Sequence, residues 1–350
     1  MPNITRRLLT YSCLLSVFSA SVLRSDKAQA QATADEGVAQ FYQGKAINLL
    51  VGVGPGGDYD LKMRLVARFL SKHIPGNPAV IPQNMLGATG LTMANYLYRI
   101  APRDGTYIGL IQNGLPAYQA VGMPGAQFEP TGFNWLGSLS PGVETMAVWK
   151  TAGVRSIADA RTKEVVIGAV GSTGISSAFP KMLNELLGTR FKVVGGYPGA
   201  GNVNLAMERG EVMGRANDWS SFKTNNEQWL KNGDLVIILY SGRKLADLQG
   251  VECLEDMLTK QEDRQLVEAI TSGLRFGLPF ATTPAVPLPR LAALRKAFVD
   301  MMQDSQFLAA AAELRTEIEA ISAEELTETA ESLRKIPEAV KARARRLLEG

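Results

Sequence analysis

The stretch AINLLVGVGPGGDYDLKMRLVARFLSKH, residues 46–73, sets the fold class. Its first part, AINLLVGV (46–53), is a continuous apolar run of strand length, and GPGGDYD (54–60) is a glycine turn. The rest reads as a helix that gathers Leu61, Leu65, Phe69 and Leu70 on one face. The same order of strand, glycine loop and helix recurs. AVIPQN (79–84) leads through MLGATG into LTMANYLYRIA, and TYIGLIQN (106–113) ends at Gly114. Further on, EVVIGAV, GSTGISS and AFPKMLNELLG form one unit, and FKVVGGY, PGAG and NVNLAMERG form another. This alternation predicts an α/β protein with mostly parallel sheets covered by helices on both faces.

The units fall into two groups. A Pro/Gly-rich segment from Phe128 to Gly142 separates them, and RKLADLQGVECLED (243–256) breaks the pattern again after the strand DLVIILYS. The tail runs from LPFATTPAVPLP (278–289) into helical sequence, where Ser322 and Glu325 have capping-box spacing. The expected plan is one domain from 41–140 plus 250–350, with a second domain, 141–249, inserted into it. Two crossing connections would then act as a hinge. Ligands of open α/β sheets bind beyond the carboxyl ends of the strands, so both sets of glycine loops are expected to face one cleft.

Residues 1–30 carry Arg6 and Arg7, an apolar run from Leu8 to Leu23, and the small-residue triplet Ala28-Gln29-Ala30. This is the layout of a secretory signal peptide and predicts export, the alternative being an uncleaved anchor. Removing Arg6, Arg7, Arg24, Lys27 and Asp26 takes Lys+Arg from 37 to 33 and Asp+Glu from 34 to 33. A charge-balanced chain argues against nucleic acid as a partner. Cys13 lies in the leader, so the mature chain keeps only Cys253 and can form no internal disulfide.

Gly52-x-Gly54-x-x-Gly57 matches the dinucleotide fingerprint, which also needs an acidic residue about 20 positions further on to hold the ribose. That region here is PGNPAVIPQN, without Asp or Glu, and Pro55 stiffens the loop. What remains is a helix start whose backbone N–H groups and dipole suit a small anion such as a carboxylate. In the plainer reading Gly56 and Gly57 only make the turn and Asp58 caps the helix. Asp58 and Asp60 would occupy the helix start themselves or meet a ligand amine.

GATG (87–90), GSTG (171–174) and PGAG (198–201) also precede helices. Candidate ligand-binding residues are therefore Gly56, Gly57, Asp58, Tyr59 and Asp60 in the first loop, Ala88 and Thr89 in the second, and Gly171, Ser172 and Thr173 in the third. Tyr197, Gly199 and Asn202 follow in the fourth. Gln112 and Asn113 end a strand and either reach the cleft or cap a turn. Asp218 and Trp219 follow the strand GEVMGRA, and the indole either walls an organic ligand or belongs to the core.

Catalytic and metal chemistry is poorly supplied. The single histidine, His73, closes a helix before Ile74-Pro75 and is expected to meet terminal carbonyls. GSTG lacks the glycine two residues before its serine that a nucleophile elbow requires. The basic run KARARR (341–346) reads as a solvated helix face. No enzyme activity, metal or cofactor is expected.

The chain resembles the periplasmic substrate-binding components of tripartite tricarboxylate transporters, the Bug proteins, over nearly all of its mature length. In FYQGKAINLLVGVGPGGDYDLKMRLVARFL, Gly56, Gly57 and Asp60 take the places of the family's first motif. IPQNMLGATGLTMANYLYRIAPRDGTYIGL is similar to the second at Asn84, Gly87, Gly90, Pro102, Asp104, Gly105 and Tyr107. GYPGAGNVNLAMERGEVMG is similar to the third at Tyr197, Gly199, Gly201, Gly210, Glu211 and Val212. The resemblance implies a type II periplasmic binding protein-like fold, with two α/β domains, hinge crossings and an interdomain cleft. It also implies a monomer that captures a small organic carboxylate, a di- or tricarboxylate or an aromatic acid, and passes it to membrane permease subunits. A receptor feeding a sensor partner would need the same cleft. Departures from the family are Ser177 in place of a common histidine, NDWSS at 217–221, and Asp58 and Tyr59 where smaller residues are usual.

Overall fold

The structure is a computed structural model that describes residues 36–349 apart from 57 and 171–173. The leader read at residues 1–30 lies outside them.

Among the described residues, ten strands form two five-stranded sheets. The first contains β1 (Ala46–Val51), β2 (Ala79–Asn84), β3 (Tyr107–Leu110), β4 (Asn134–Ser138) and, from far along the chain, β10 (Pro279–Thr282). Its order is β2-β1-β3-β10-β4. The second contains β5 (Val143–Trp149), β6 (Val165–Val170), β7 (Phe191–Tyr197), β8 (Gly214–Asp218) and β9 (Leu235–Gly242), in the order β7-β6-β8-β5-β9.

The two sheets are built alike. Three strands run parallel, β2-β1-β3 and β7-β6-β8, and the fourth place is taken by an antiparallel strand, β10 or β5. Each antiparallel strand is the first one made after the chain crosses from the other sheet. Pro82 is tolerated in β2 because that strand is an edge, where a missing N–H breaks no ladder bond on the open side.

Strand periodicity sorts the apolar side chains into separate cores. On β1, Ile47, Leu49 and Val51 pack with Met63, Val66, Phe280, Phe298 and Phe307 on one face of the first sheet. On β5, Val143 and Ala147 join Val203, Met207 and Phe222 on the outer face of the second. Their alternates, Leu50 on β1 and Met146 and Val148 on β5, belong to one larger core with Trp135, Ile167, Phe179, Ile270, Phe276 and Leu333. Side chains of the helices Gln261–Phe276 and Ala323–Arg334 thus pack into a core shared by both sheets.

The Pro/Gly-rich segment 128–142 holds the buried strand β4 of the first sheet. The basic run near the carboxyl end is not simply a solvated face. Arg343 binds Glu185 at 2.7 Å and Asp263 at 3.4 Å, and Arg345 donates from Nε to the Val121 carbonyl at 2.9 Å. His73 meets the Asp304 carboxylate at 3.1 Å. The capping box forms between Ser322 and Glu325.

Candidate functional site

The parallel register aligns the carboxyl ends of the first three strands, with Val51 beside both Asn84 and Leu110. The loops that follow are drawn into one cluster by glycine. A side chain at Gly52 would put its Cβ 2.3 Å from the Gly90 Cα. A side chain at Gly90, which has φ +85°, would put its Cβ 2.0 Å from the Gln112 Oε1. The first loop, the second loop and the end of β3 are therefore stacked backbone on backbone on amide. Ala88 and Thr89 lie in the tight turn Ala88–Gly90, and Ala88 holds φ +43° without being glycine. Such a conformation is costly for an alanine.

Asp60 fastens the first loop. Its carboxylate accepts from the Gly56 N–H at 2.9 Å, from Arg64 Nε at 2.9 Å and from Asn84 Nδ2 at 2.8 Å. The Asn84 amide also donates to the Val53 carbonyl at 2.9 Å. The Arg64 hydrogen bond, helped by the Gly56 N–H, holds the Asp60 carboxyl down at about 2. With 1% exposure, this carboxylate is a strut of the loop. Asp58 is exposed and pairs with Lys62 at 2.8 Å. Gly57 lies outside the described residues.

Tyr59 reaches across the cluster. Its hydroxyl accepts from the Asn113 N–H at 3.2 Å. Burial pushes that hydroxyl well above the ordinary tyrosine value, the Asn113 N–H opposes this, and the charges of Asp58 and Asp218 add to the rise. Asp218, at the end of β8, is thus near enough to Tyr59 to act on it across the two sheets.

Backbone contacts complete the link. A Cβ on Gly273 would stand 3.0 Å from the Asn113 carbonyl oxygen. The Gly142 N–H donates to the Leu274 carbonyl at 2.8 Å, and a Cβ on Gly142 would stand 3.1 Å from Asp218 Oδ2. Gly142 lies in the four-residue crossing from β4 to β5. The carboxyl ends of β3 and β8 are joined by this short chain of glycine contacts.

On the second sheet, Asp218 caps the helix Trp219–Asn225. Its Oδ1 accepts from the N–H groups of Ser220 and Ser221 and from the Ser220 hydroxyl, and its Oδ2 accepts from the Val143 N–H at 3.1 Å. Trp219 is buried in the outer core, and its indole N–H donates to Asp247 at 3.4 Å. Tyr197 ends β7 half-buried against Gly168. Gly199 precedes the helix Ala200–Glu208 in extended backbone, and Asn202 is exposed on that helix. Gly171, Ser172 and Thr173 lie outside the described residues. The flanks of their loop are the end of β6 at Val170 and Gly174, with φ +91°, before the helix Ile175–Leu187.

Two residues with unusual environments escaped the sequence reading. The Asn217 Nδ2, next to Asp218, is fully buried with no hydrogen-bond partner among the described residues; the Gln112 Oε1 on the other sheet is in the same position. Unpaired buried amides are uncommon in native folds and point to a missing partner. Glu144 lies opposite Asp218 in the β5–β8 register, buried within a strand that is otherwise nearly apolar. Burial pushes its carboxyl up to about 8, with Asp218 adding to the rise and Arg215 opposing it. A charged residue inside VETMAVW is the available signal in the sequence, and no loop motif accompanies it.

Arg215 is buried too, and burial draws it down to about 10. It donates to the Ala200 carbonyl at 3.1 Å and to Asn204 Oδ1 at 2.7 Å, so it anchors the helix after PGAG. Lys62 and Arg64 are committed to Asp58 and Asp60. The site offers backbone N–H groups, side-chain amides and acids. Among the described residues no group of three His, Cys, Asp or Glu side chains is placed to hold a metal ion. No described helix is long and apolar enough to cross a membrane.

No protein-family model matches the chain, and no curated protein matches it in sequence. Solved structures do match in fold. A TctC solute-binding protein from Polaromonas, without ligand, superposes with a TM-score of 0.66 at 16% identity, covering 86% of this chain and 99% of that one. MatC from Rhodopseudomonas palustris with bound malate gives 0.60 at 17%, covering 85% and 99%. An R. palustris protein with adipate gives 0.60 at 18%, covering 86% and 97%. The chain has the two-sheet α/β fold of these periplasmic solute-binding proteins.

Proposed function

We propose that the chain is a periplasmic solute-binding protein of the tripartite tricarboxylate type, which captures a small organic carboxylate and releases it to membrane permease subunits. In this reading residues 1–30 direct export, 41–140 with 250–350 form one lobe, and 141–249 form the other. The lobes close on the ligand about the crossings near Gly142 and after Gly242. The protein binds without turnover, and the bound malate and adipate of two structural neighbours illustrate the class of ligand.

The observation that carries this reading is the stack of glycine loops at the carboxyl ends of the first sheet's strands, Gly52 on Gly90 on Gln112, with the Asn217 Nδ2 at the end of β8 as a buried donor without a partner among the described residues. Gln112 lies against Gly90 of the GATG loop, Asn217 adjoins the helix cap Asp218, and the cations of the first loop's helix, Lys62 and Arg64, are paired with Asp58 and Asp60. Neutral donors at helix starts hold a carboxylate through aimed N–H groups and the helix dipole.

The test is a thermal-shift screen of residues 31–350 against mono-, di- and aromatic carboxylates. A ligand present at 100 times its Kd stabilises by about 2.7 kcal/mol, which such a screen resolves. No stabilisation by any carboxylate would contradict the proposal.

A further inference from the structure

After the helix Ser305–Glu313 the chain turns at Arg315, which holds φ +51°, and runs extended to Ile321. Backbone bonds fix this run to the first sheet beside its edge strand β4. The Glu319 N–H donates to the Leu139 carbonyl at 2.8 Å, the Ile321 N–H to the Ser138 carbonyl at 3.1 Å, and the Ser138 N–H to the Ile321 carbonyl at 3.0 Å. Extended backbone sends alternate side chains to opposite sides. Thr316 is buried and Ile318 packs against the core around Met63 and Phe298, whereas Arg315, Glu317 and Glu319 are exposed.

These three charged side chains meet three residues on the side of the second sheet, in matching order. Glu319 pairs with Arg243, directly after β9. Glu317 pairs at 2.5 Å with Lys223 on the helix Trp219–Asn225, and Arg315 at 3.9 Å with Glu227, which opens the helix Glu227–Lys231. Lys223 is steadied from its own side by Asp247 at 2.9 Å. The charges along 315, 317 and 319 are plus, minus, minus, and their partners are minus, plus, plus. A single exposed ion pair contributes little, because ordering two long side chains offsets its Coulomb energy. Here the backbone that carries one row is already fixed, and three pairs share it. A rotation about the crossings displaces Glu319 least, because Arg243 stands at the crossing itself. Arg315, about 13 Å further along the extended chain, is displaced most.

We infer that the segment 315–319 is an electrostatic strap between the two lobes, which holds them at their present angle and whose pairs must part when the hinge moves. This inference rests on the two-lobe reading and adds a control to it. The freedom of the hinge depends on ionic strength through named pairs, and ligand binding that moves the lobes works against the same pairs.

Spin labels on Arg103→Cys in one lobe and Lys192→Cys in the other, both exposed positions, report the interlobe distance by double electron–electron resonance in residues 31–350 carrying Cys253→Ser. Distances are recorded at about 0.1 M salt, where charges are screened over about 10 Å, and at about 1 M, where that length falls to about 3 Å. The intact strap should give a narrow distribution that broadens with salt. Glu317→Gln with Glu319→Gln, two isosteric changes at exposed positions, should give the broad distribution already at the lower salt and lose the salt response. Glu313→Gln with Glu328→Gln removes two exposed acids outside the strap and should leave the intact behaviour. If the 317/319 variant keeps the narrow, salt-responsive distribution, or the intact strap does not respond to salt, the inference is overturned. The second criterion stands even if the variant folds poorly. The same distances are read with the carboxylate that stabilises most in the thermal screen. A distance that shifts with this carboxylate but not with salt or the variant overturns the strap and leaves the closing-lobe reading standing. A distance that none of the three moves overturns both.

Discussion

The Tyr59 hydroxyl accepts the backbone N–H of Asn113 at 3.2 Å, so the start of the first helix is tied to the end of β3. Asn113 in turn lies against Gly273, next to Leu274, whose carbonyl receives the N–H of Gly142 in the crossing. One phenol thus closes a path from the first glycine loop to the connection between sheets. Tyr59→Phe keeps the ring and strands the N–H. It should cost about 1 kcal/mol of stability in urea unfolding, the usual net value of a hydrogen bond. An unchanged midpoint would show that solvent replaces the phenol.

Asp60 should matter more. Asp60→Ala removes the acceptor of the Gly56 N–H, of Arg64 and of Asn84 together. A loss of about 2–3 kcal/mol is expected, because these are charge-assisted bonds to a buried carboxylate. The pH dependence has a defined sign. The folded carboxyl is lowered to about 2, below its unfolded value, so its contribution is complete above about pH 4 and disappears as pH falls toward 2. Acid unfolding followed by circular dichroism should show that slope in the parent and a flatter one in Asp60→Asn.

Gly90→Ala tests the stacked loops. The new methyl meets Gln112 Oε1 and is forced onto a residue with φ +85°. Stability should fall by about 1–3 kcal/mol, and the Gln112 amide must move. Carboxylate affinity measured by calorimetry should drop at least tenfold. Full affinity in this variant would remove Gln112 from the binding site.

Arg343 joins the helix Glu338–Glu349 to Glu185 on a helix of the second sheet and to Asp263 on the helix Gln261–Phe276. It is three-quarters buried, so its ion pairs are better shielded than ordinary surface pairs. Arg343→Ala should lower the thermal midpoint by a few degrees, equivalent to about 1 kcal/mol. A variant that melts like the parent would mean that the apolar contacts of Val340 and Ala344 alone secure this helix.

Much of the fold was legible because β1, β6 and β7 are strand-length runs followed by glycine turns and helices, and β9 is a long apolar run. β4, β5 and β10 were harder for three separate reasons. NWLGS is embedded in Pro/Gly-rich sequence, VETMAVW carries Glu144 and Thr145 inside a strand buried on both faces, and PFAT is only four residues long. All three depend on partners distant in sequence, and no local period announces them. The glycine loops were visible as loops. Which of their acids are structural was not, since Asp60 is defined by Arg64 and Asn84, and Asp218 by Val143, contacts that only folding creates. Glu144 lies outside every motif, and Asn217 opens NDWSS, where Asp218 and Trp219 were the residues with recognisable chemistry.

The most direct test of the central claim is competition at the opening loop, Gly54 to Asp60. Residues 31–350 are titrated calorimetrically with the best carboxylate from the screen, alone and in the presence of NAD. One carboxylate per chain, bound with unchanged affinity at millimolar NAD, is the predicted result. Tight NAD binding that displaces the carboxylate, or no saturable carboxylate binding at all, would contradict the account.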